Sequence, residues 1–123
     1  MKIYLSHSKN SDFQKEIYEP IKKSGLMEKH QFLFPHDEGQ NINSKELFSQ
    51  KECDLVVAEV SYPATGQGIE LGFANVYEIP IICLYKSGSK IANSLKYITD
   101  QIIEYGNADD FVAKLDSTIN IKE

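Results

Sequence analysis

Asp54-Leu55-Val56-Val57-Ala58-Glu59-Val60 and Ile79-Pro80-Ile81-Ile82-Cys83-Leu84-Tyr85 are two near-continuous apolar runs. A strand with one face in water alternates apolar and polar residues. Runs like these belong to strands covered on both faces, as in parallel sheets. Between them lie a turn-rich segment, residues 61–68, and a helical stretch from about Ile69 to Tyr77. The pattern repeats on either side. Toward the N-terminus, Lys2–Ser6 reads as a strand, and residues 12–24 place Phe13, Ile17 and Ile21 on one helical face. Pro20 interrupts that face, so a kink or break is expected. Residues 31–34 form a second strand, and residues 45–52 a short helix capped by Asn43 or Ser44. Toward the C-terminus come a helical stretch at 91–97, a short strand at 102–105 and a last helix at 109–118. Strands alternating with helices predict an α/β fold: one domain, residues 1–123, with a small doubly wound (flavodoxin- or Rossmann-like) five-stranded parallel sheet and helices on both faces. The expected order is 2-1-3-4-5. Ligands then bind where the order reverses, beyond the carboxyl ends of strands one and three. That places the segments after Ser6 and after Val60 at the site.

Composition narrows the function classes. The 123 residues carry 13 basic and 18 acidic side chains, a formal charge of −5. All the basic residues are lysine, and tryptophan is absent. An acidic chain without a basic cluster is not expected to bind nucleic acid polymers, since counterion release needs a positive face. With no arginine, a bound phosphate or carboxylate lacks a bidentate guanidinium fork. Cys83 lies within an apolar run and reads as a buried thiol. Met1–Ser6 turns polar at once, and no apolar run reaches bilayer-spanning length. The expectation is a cytoplasmic protein with no disulfide and no membrane partner.

The segment after strand three, Ser61-Tyr62-Pro63-Ala64-Thr65-Gly66-Gln67-Gly68-Ile69-Glu70-Leu71-Gly72, is the most informative for chemistry. Gly66 and Gly68 are expected to turn the backbone tightly and let it approach a ligand. Glu70 then falls in the first turn of the following helix, where the dipole favours an ionised carboxylate. Such a group can act as a nucleophile or stabilise a developing cation; its plainer reading is a dipole complement. The last glycine is one position late for a dinucleotide fingerprint, and no Lys-Ser/Thr follows for a P-loop. Glu59, inside an apolar strand, is either a second site carboxylate or a paired structural one. His36-Asp37-Glu38 lacks the ligand spacing of a closed metal site and reads as a polar loop at a pocket rim; no metal is expected.

These residues resemble the nucleoside 2-deoxyribosyltransferase family, and within it the 2′-deoxynucleoside 5′-phosphate N-hydrolase branch. The resemblance implies that Glu70, in Gly66-x-Gly68-x-Glu70-Leu71-Gly72, is the nucleophile. It implies that Tyr4, in the opening strand, reaches the site, and that Glu46 is the acidic residue that holds or protonates the leaving base. The loop carrying Asn93 and Ser94 would supply a polar residue to a neighbouring subunit, so a homodimer or higher homo-oligomer is expected. Ser6, His7, Ser8 and Lys9, with Ala64, Gly66 and Gly68, would line the sugar or phosphate cradle. Two departures stand out. The loop after strand one, residues 6–11, has neither the glycines nor the arginine of the phosphate-specific branch, and Ala64 stands where the family has a hydroxyl or carboxylate.

The reaction so implied is cleavage, by hydrolysis or base transfer, of the N-glycosidic bond of a 2′-deoxynucleoside or its monophosphate, with retaining-glycosidase logic and no cofactor. Two other classes stay open. One is a non-catalytic nucleotide-sensing module on the same fold. The other comes from Ile3-Tyr4-Leu5-Ser6-His7-Ser8, which is similar to the opening strand of TIR domains, either NAD-cleaving or interaction modules.

Overall fold

A computed structural model describes residues 1–122. The strands are β1 (Lys2–Ser6), β2 (Gln31–Leu33), β3 (Leu55–Glu59), β4 (Ile81–Lys86) and β5 (Ile102–Tyr105). They form one parallel sheet in the order β2-β1-β3-β4-β5, as expected. The register sets Tyr4 opposite Val56 and Ser6 opposite Ala58, so the carboxyl ends of β1 and β3 lie side by side.

Strand alternation divides the core. Ile3, Leu5, Val57 and Leu84 face one layer, packed with Phe111 and Leu115 of the helix α5 (Ala108–Lys122). Tyr4, Val56, Ala58 and Cys83 face the other, with α3 (Ser44–Ser49) and α4 (Thr65–Val76) over them. Burying each large aliphatic side chain contributes about 1.5–3 kcal/mol, and both faces of β3 gain it, which is why that strand is apolar from Leu55 to Ala58. Cys53 and Cys83 are buried free thiols, pushed by burial up to about 11 and about 12. No helix among the described residues is long and apolar enough to cross a membrane.

The first helical stretch is broken as Pro20 requires. Gln14–Tyr18 form a π turn, in which Glu19 N–H bonds to the Gln14 carbonyl five residues back, and α1 (Glu19–Lys22) follows, then α2 (Leu26–Lys29). Proline has no N–H, and its ring collides with the carbonyl four residues earlier; widening the preceding turn accommodates it. The change of phase brings Tyr18 inward beside Ile17, and both are buried.

Helix boundaries differ from expectation at several places, and one of them bears on the site. The helix after β3 starts at Thr65, not near Ile69, because Ala64 is extended and Gly68 N–H already bonds to its carbonyl. Gly66 and Gly68 are therefore helical residues, not turn-makers, and Glu70 is the sixth residue of α4, beyond its first turn. Residues 93–97 form a 3-10 helix, Asn93–Tyr97, not an α-helix.

Candidate active site

The carboxyl ends of β1 and β3, the start of α4 and the segment after β2 enclose a cavity of about 440 Å³. It stands at the switch point, as the topology requires. Tyr4 comes from β1, Glu70 from α4 and His7, Ser8, Lys9 and Asn10 from the loop after β1. Leu5, Pro35, His36 and Ile42 give a less polar wall; Ala64, Gly66 and Gln67 are the start of α4.

The centre of the cavity is one hydrogen bond. The Tyr4 hydroxyl donates to Glu70 Oε2 at 2.6 Å. The Tyr4 ring sits edge-on to Phe48, with centroids 5.4 Å apart, which holds the hydroxyl in place. Burial, then the charge and hydrogen bond of Glu70, push the Tyr4 hydroxyl far above the usual tyrosine range. It therefore stays a donor at any physiological pH. Glu70 lies past the first turn of α4, where the dipole has faded. The hydroxyl of Tyr4, rather than the helix end, orients its carboxylate.

The helix end still matters. Ala64 offers no side-chain cap, so the amides of Thr65, Gly66 and Gln67 have no intrahelical partner. A Cβ on Gly66 or Gly68 would meet no protein atom within 4 Å. At Gly66 that open space is the cavity itself.

His7 lines the cavity, as expected, but its ring is engaged within the protein. It is buried, and both ring nitrogens are engaged. Ser8 O can only accept, so Nδ1–H donates to it at 3.2 Å, and Nε2 accepts from the Tyr18 hydroxyl at 2.7 Å. The Tyr18 oxygen in turn accepts from His36 N–H at 3.1 Å. The ring stacks on Phe13, centroids 4.3 Å apart. Burial pulls His7 down to about 4, the Ser8 carbonyl opposing and His36 adding to the fall. His7 is thus a neutral strut that ties the β1 loop to the segment after β2, and not a cation for phosphate. The Ser8 hydroxyl accepts from Asn10 N–H at 3.0 Å, which folds the loop tightly. Lys9 is the lysine that lines the cavity.

The remaining predicted residues lie elsewhere. Glu46 is exposed on α3, where its carboxylate accepts from Gln50 Nε2 at 3.3 Å; it does not line the cavity. Ser6 is buried with its hydroxyl unpartnered, and also lies outside the cavity wall. Gly68 and Ser94 line a neighbouring cavity of about 370 Å³, which shares Ala64 and Gln67 with the first, and Asn93 is exposed outside both. Glu59 is structural: its carboxylate accepts from Ser61 N–H at 2.7 Å, from the Ser61 hydroxyl at 2.9 Å and from the Tyr105 hydroxyl, tying β3 to β5. Sequence reasoning missed Gln67, Asn10 and Tyr18. Gln67 becomes legible only once α4 is known to begin at Thr65.

No family model matches the chain. It is 26% identical to a protein of Thermofilum pendens named "Putative 2'-deoxynucleoside 5'-phosphate N-hydrolase 1", over 97% of this chain and 95% of that protein. It is 42% identical over 50 residues to a 5-hydroxymethyl-dUMP N-hydrolase of Mus musculus, covering 41% of this chain and 29% of that protein. Among solved structures, a CMP N-glycosidase of Clostridium botulinum, BcmB, superposes with a TM-score of 0.66 at 24% identity, over 94% of this chain and 99% of that one. In sequence over nearly its full length, in fold and in the Gly66-x-Gly68-x-Glu70-Leu71-Gly72 segment, the chain is similar to nucleotide N-hydrolases and an N-glycosidase, which supports its resemblance to the nucleoside 2-deoxyribosyltransferase family.

Proposed function

We propose that the protein hydrolyses the N-glycosidic bond of a 2′-deoxynucleoside or its 5′-monophosphate, with Glu70 as nucleophile. The observation that carries this reading is the bond from the Tyr4 hydroxyl to Glu70 Oε2 inside the switch-point cavity. One carboxylate oxygen is held, and the other is left to attack. Glu70 forms a bond to C1′ as the C1′–N bond breaks; the bonding pair leaves with the base, which takes a proton from water. A water molecule then attacks C1′, releases Glu70 and yields the free sugar. Fixing the carboxylate beside C1′ supplies rate through positioning and charge stabilisation. The names of the relatives favour hydrolysis over base transfer.

The walls divide the substrate. The less polar side, Pro35, His36 and Ile42, suits the base; Ser8, Lys9 and Asn10 suit the 5′ end. Lys9 and hydroxyls hold a phosphate as a point charge rather than a fork, so nucleosides are substrates beside monophosphates. Glu46, exposed and outside the cavity, has no step here. Asn93 and Ser94 are exposed and free to complete the site of a second copy, which makes the working unit a homodimer. Sedimentation at micromolar concentration checks this; a fully active monomer contradicts it. The function itself is tested by incubating the protein with deoxynucleosides, deoxynucleoside monophosphates and NAD. Free base from the first two supports the reading; nicotinamide release alone, or no release at all, overturns it.

A further inference from the structure

The β1–β3 ladder ends at Ser6 and Ala58. Beyond it the two segments part and become opposite walls of the Glu70 cavity, residues 7–10 on one side and Ala64 and Gly66 on the other. The ladder no longer sets their separation there. A tie outside the cavity spans them. Lys86, the last residue of β4, does not line the cavity. Its ammonium pairs with the Glu16 carboxylate and donates to the Tyr62 hydroxyl at 3.0 Å, 5.0 Å from the centre of the Tyr62 ring. Its main-chain N–H donates to the Ser61 hydroxyl at 2.8 Å, so the stem starts from a fixed point. Glu16 belongs to the π turn that carries Tyr18, whose hydroxyl holds His7 in the first wall. Tyr62 stands two residues before Ala64, in the second.

The Lys86 and Glu16 side chains are 28% and 31% exposed. A pair this open to water adds little to stability. Its consequence is geometric, because an ammonium has several donors and here holds segments from opposite layers. Ile17 and Tyr18, next to Glu16, pack in the layer over Ile3 and Leu5, whereas α4 covers the face of Tyr4 and Val56. Tyr4 lies within the ladder, and Leu71 and Ala74 seat α4 on the sheet. The Tyr4–Glu70 contact therefore stands without the tie, and the spacing of the walls does not. We propose that Lys86 is a positioning residue: by joining Glu16 to Tyr62 it holds residues 7–10 and 64–66 at the separation that fits the substrate. This rests on the reading of the cavity as a deoxynucleoside or deoxynucleotide site.

The test measures KM and kcat on the four common 2′-deoxynucleosides and their 5′-monophosphates. Lys86→Met removes the charge and keeps the stem. Its KM is expected to rise at least about fivefold, with kcat within about twofold, since binding is loosened and the reacting pair is not. The rise is expected to be the same with and without the phosphate, because the tie does not touch it. Lys86→Arg is expected to stay within about twofold on both constants, as a guanidinium also pairs with a carboxylate and stacks on an aromatic ring. Glu16→Gln and Tyr62→Phe alter the partly exposed far ends of the tie. Each is expected to raise KM at least about twofold, which keeps the test open where Lys86→Met does not fold. Glu16→Gln should add nothing to Lys86→Met, as for two ends of one contact. Lower melting temperatures with unchanged KM in the folded variants, or a loss that Lys86→Arg does not restore, overturns the role of Lys86 alone. No base release by the wild type from any of the nucleosides or monophosphates overturns the parent reading, and this one with it.

Discussion

The hydroxyl of Tyr4 and the carboxylate of Glu70, 66 residues apart in the chain, meet at 2.6 Å where β1 and α4 converge. The contact joins the strand that leads into one switch-point segment to the helix that follows the other. It supports a separate role for each residue in the proposed reaction: Glu70 as the nucleophile, and Tyr4 as the group that keeps it aimed.

Tyr4→Phe removes that aim while keeping the ring against Phe48. A hydrogen bond to a charged group is worth about 1.5–3 kcal/mol, so kcat is expected to fall by roughly 10–150-fold. KM is expected to change little, because the role proposed for the hydroxyl is to orient Glu70 and not to hold substrate. Steady-state kinetics check this; a rise in KM with unchanged kcat removes Tyr4 from the positioning role.

Lys9→Ala separates phosphate from nucleoside. Lys9 is the lysine that lines the cavity, so the variant should raise KM for monophosphates by roughly tenfold and leave nucleosides within about twofold. The wild-type preference for monophosphates should also weaken as salt is raised. Equal losses on both substrates contradict the placement of the 5′ end beside Lys9.

The His7 strut makes stability fall in acid. Its ring titrates near 6.5 in the unfolded chain and is pulled down to about 4 by burial in the fold. The unfolded state therefore binds the extra proton first. The contribution is present in full above pH 6.5 and is lost as pH falls toward 4, on the order of 3 kcal/mol over that window. Denaturant melts between pH 7 and 4 check this. His7→Asn should flatten that part of the profile; an unchanged slope contradicts the strut.

The sequence made the sheet legible because β3 and β4 are apolar on both faces, and only a covered parallel strand needs that. Glu70 was legible through its glycine-flanked segment and Tyr4 through the resemblance of the opening strand. The start of α4 was not, because Thr65-Gly66-Gln67-Gly68 has poor helix propensity and glycines usually mark turns. The fold overrides that preference by burying Gln67 and Leu71 against the sheet. His7 lines the cavity, but the engagement of its ring was not legible, because its partner, Tyr18, sits eleven residues away on a helix whose phase a π turn has shifted. Spacing rules assume a regular helix, and Pro20 breaks it. Glu46 shows the opposite limit: a place in the chain that matched the family does not put its exposed side chain into the cavity.

Base release by Glu70→Gln tests the central claim most directly. The substitution keeps the size of the side chain and an oxygen for the Tyr4 hydroxyl, but removes the charge that attacks C1′. Purified wild-type and variant proteins, with matching melting curves, are incubated with the panel of deoxynucleosides and deoxynucleoside monophosphates, and free base is measured. The account predicts release by the wild type and a loss of at least about 10³-fold in the variant. Turnover by Glu70→Gln at the wild-type rate would contradict it.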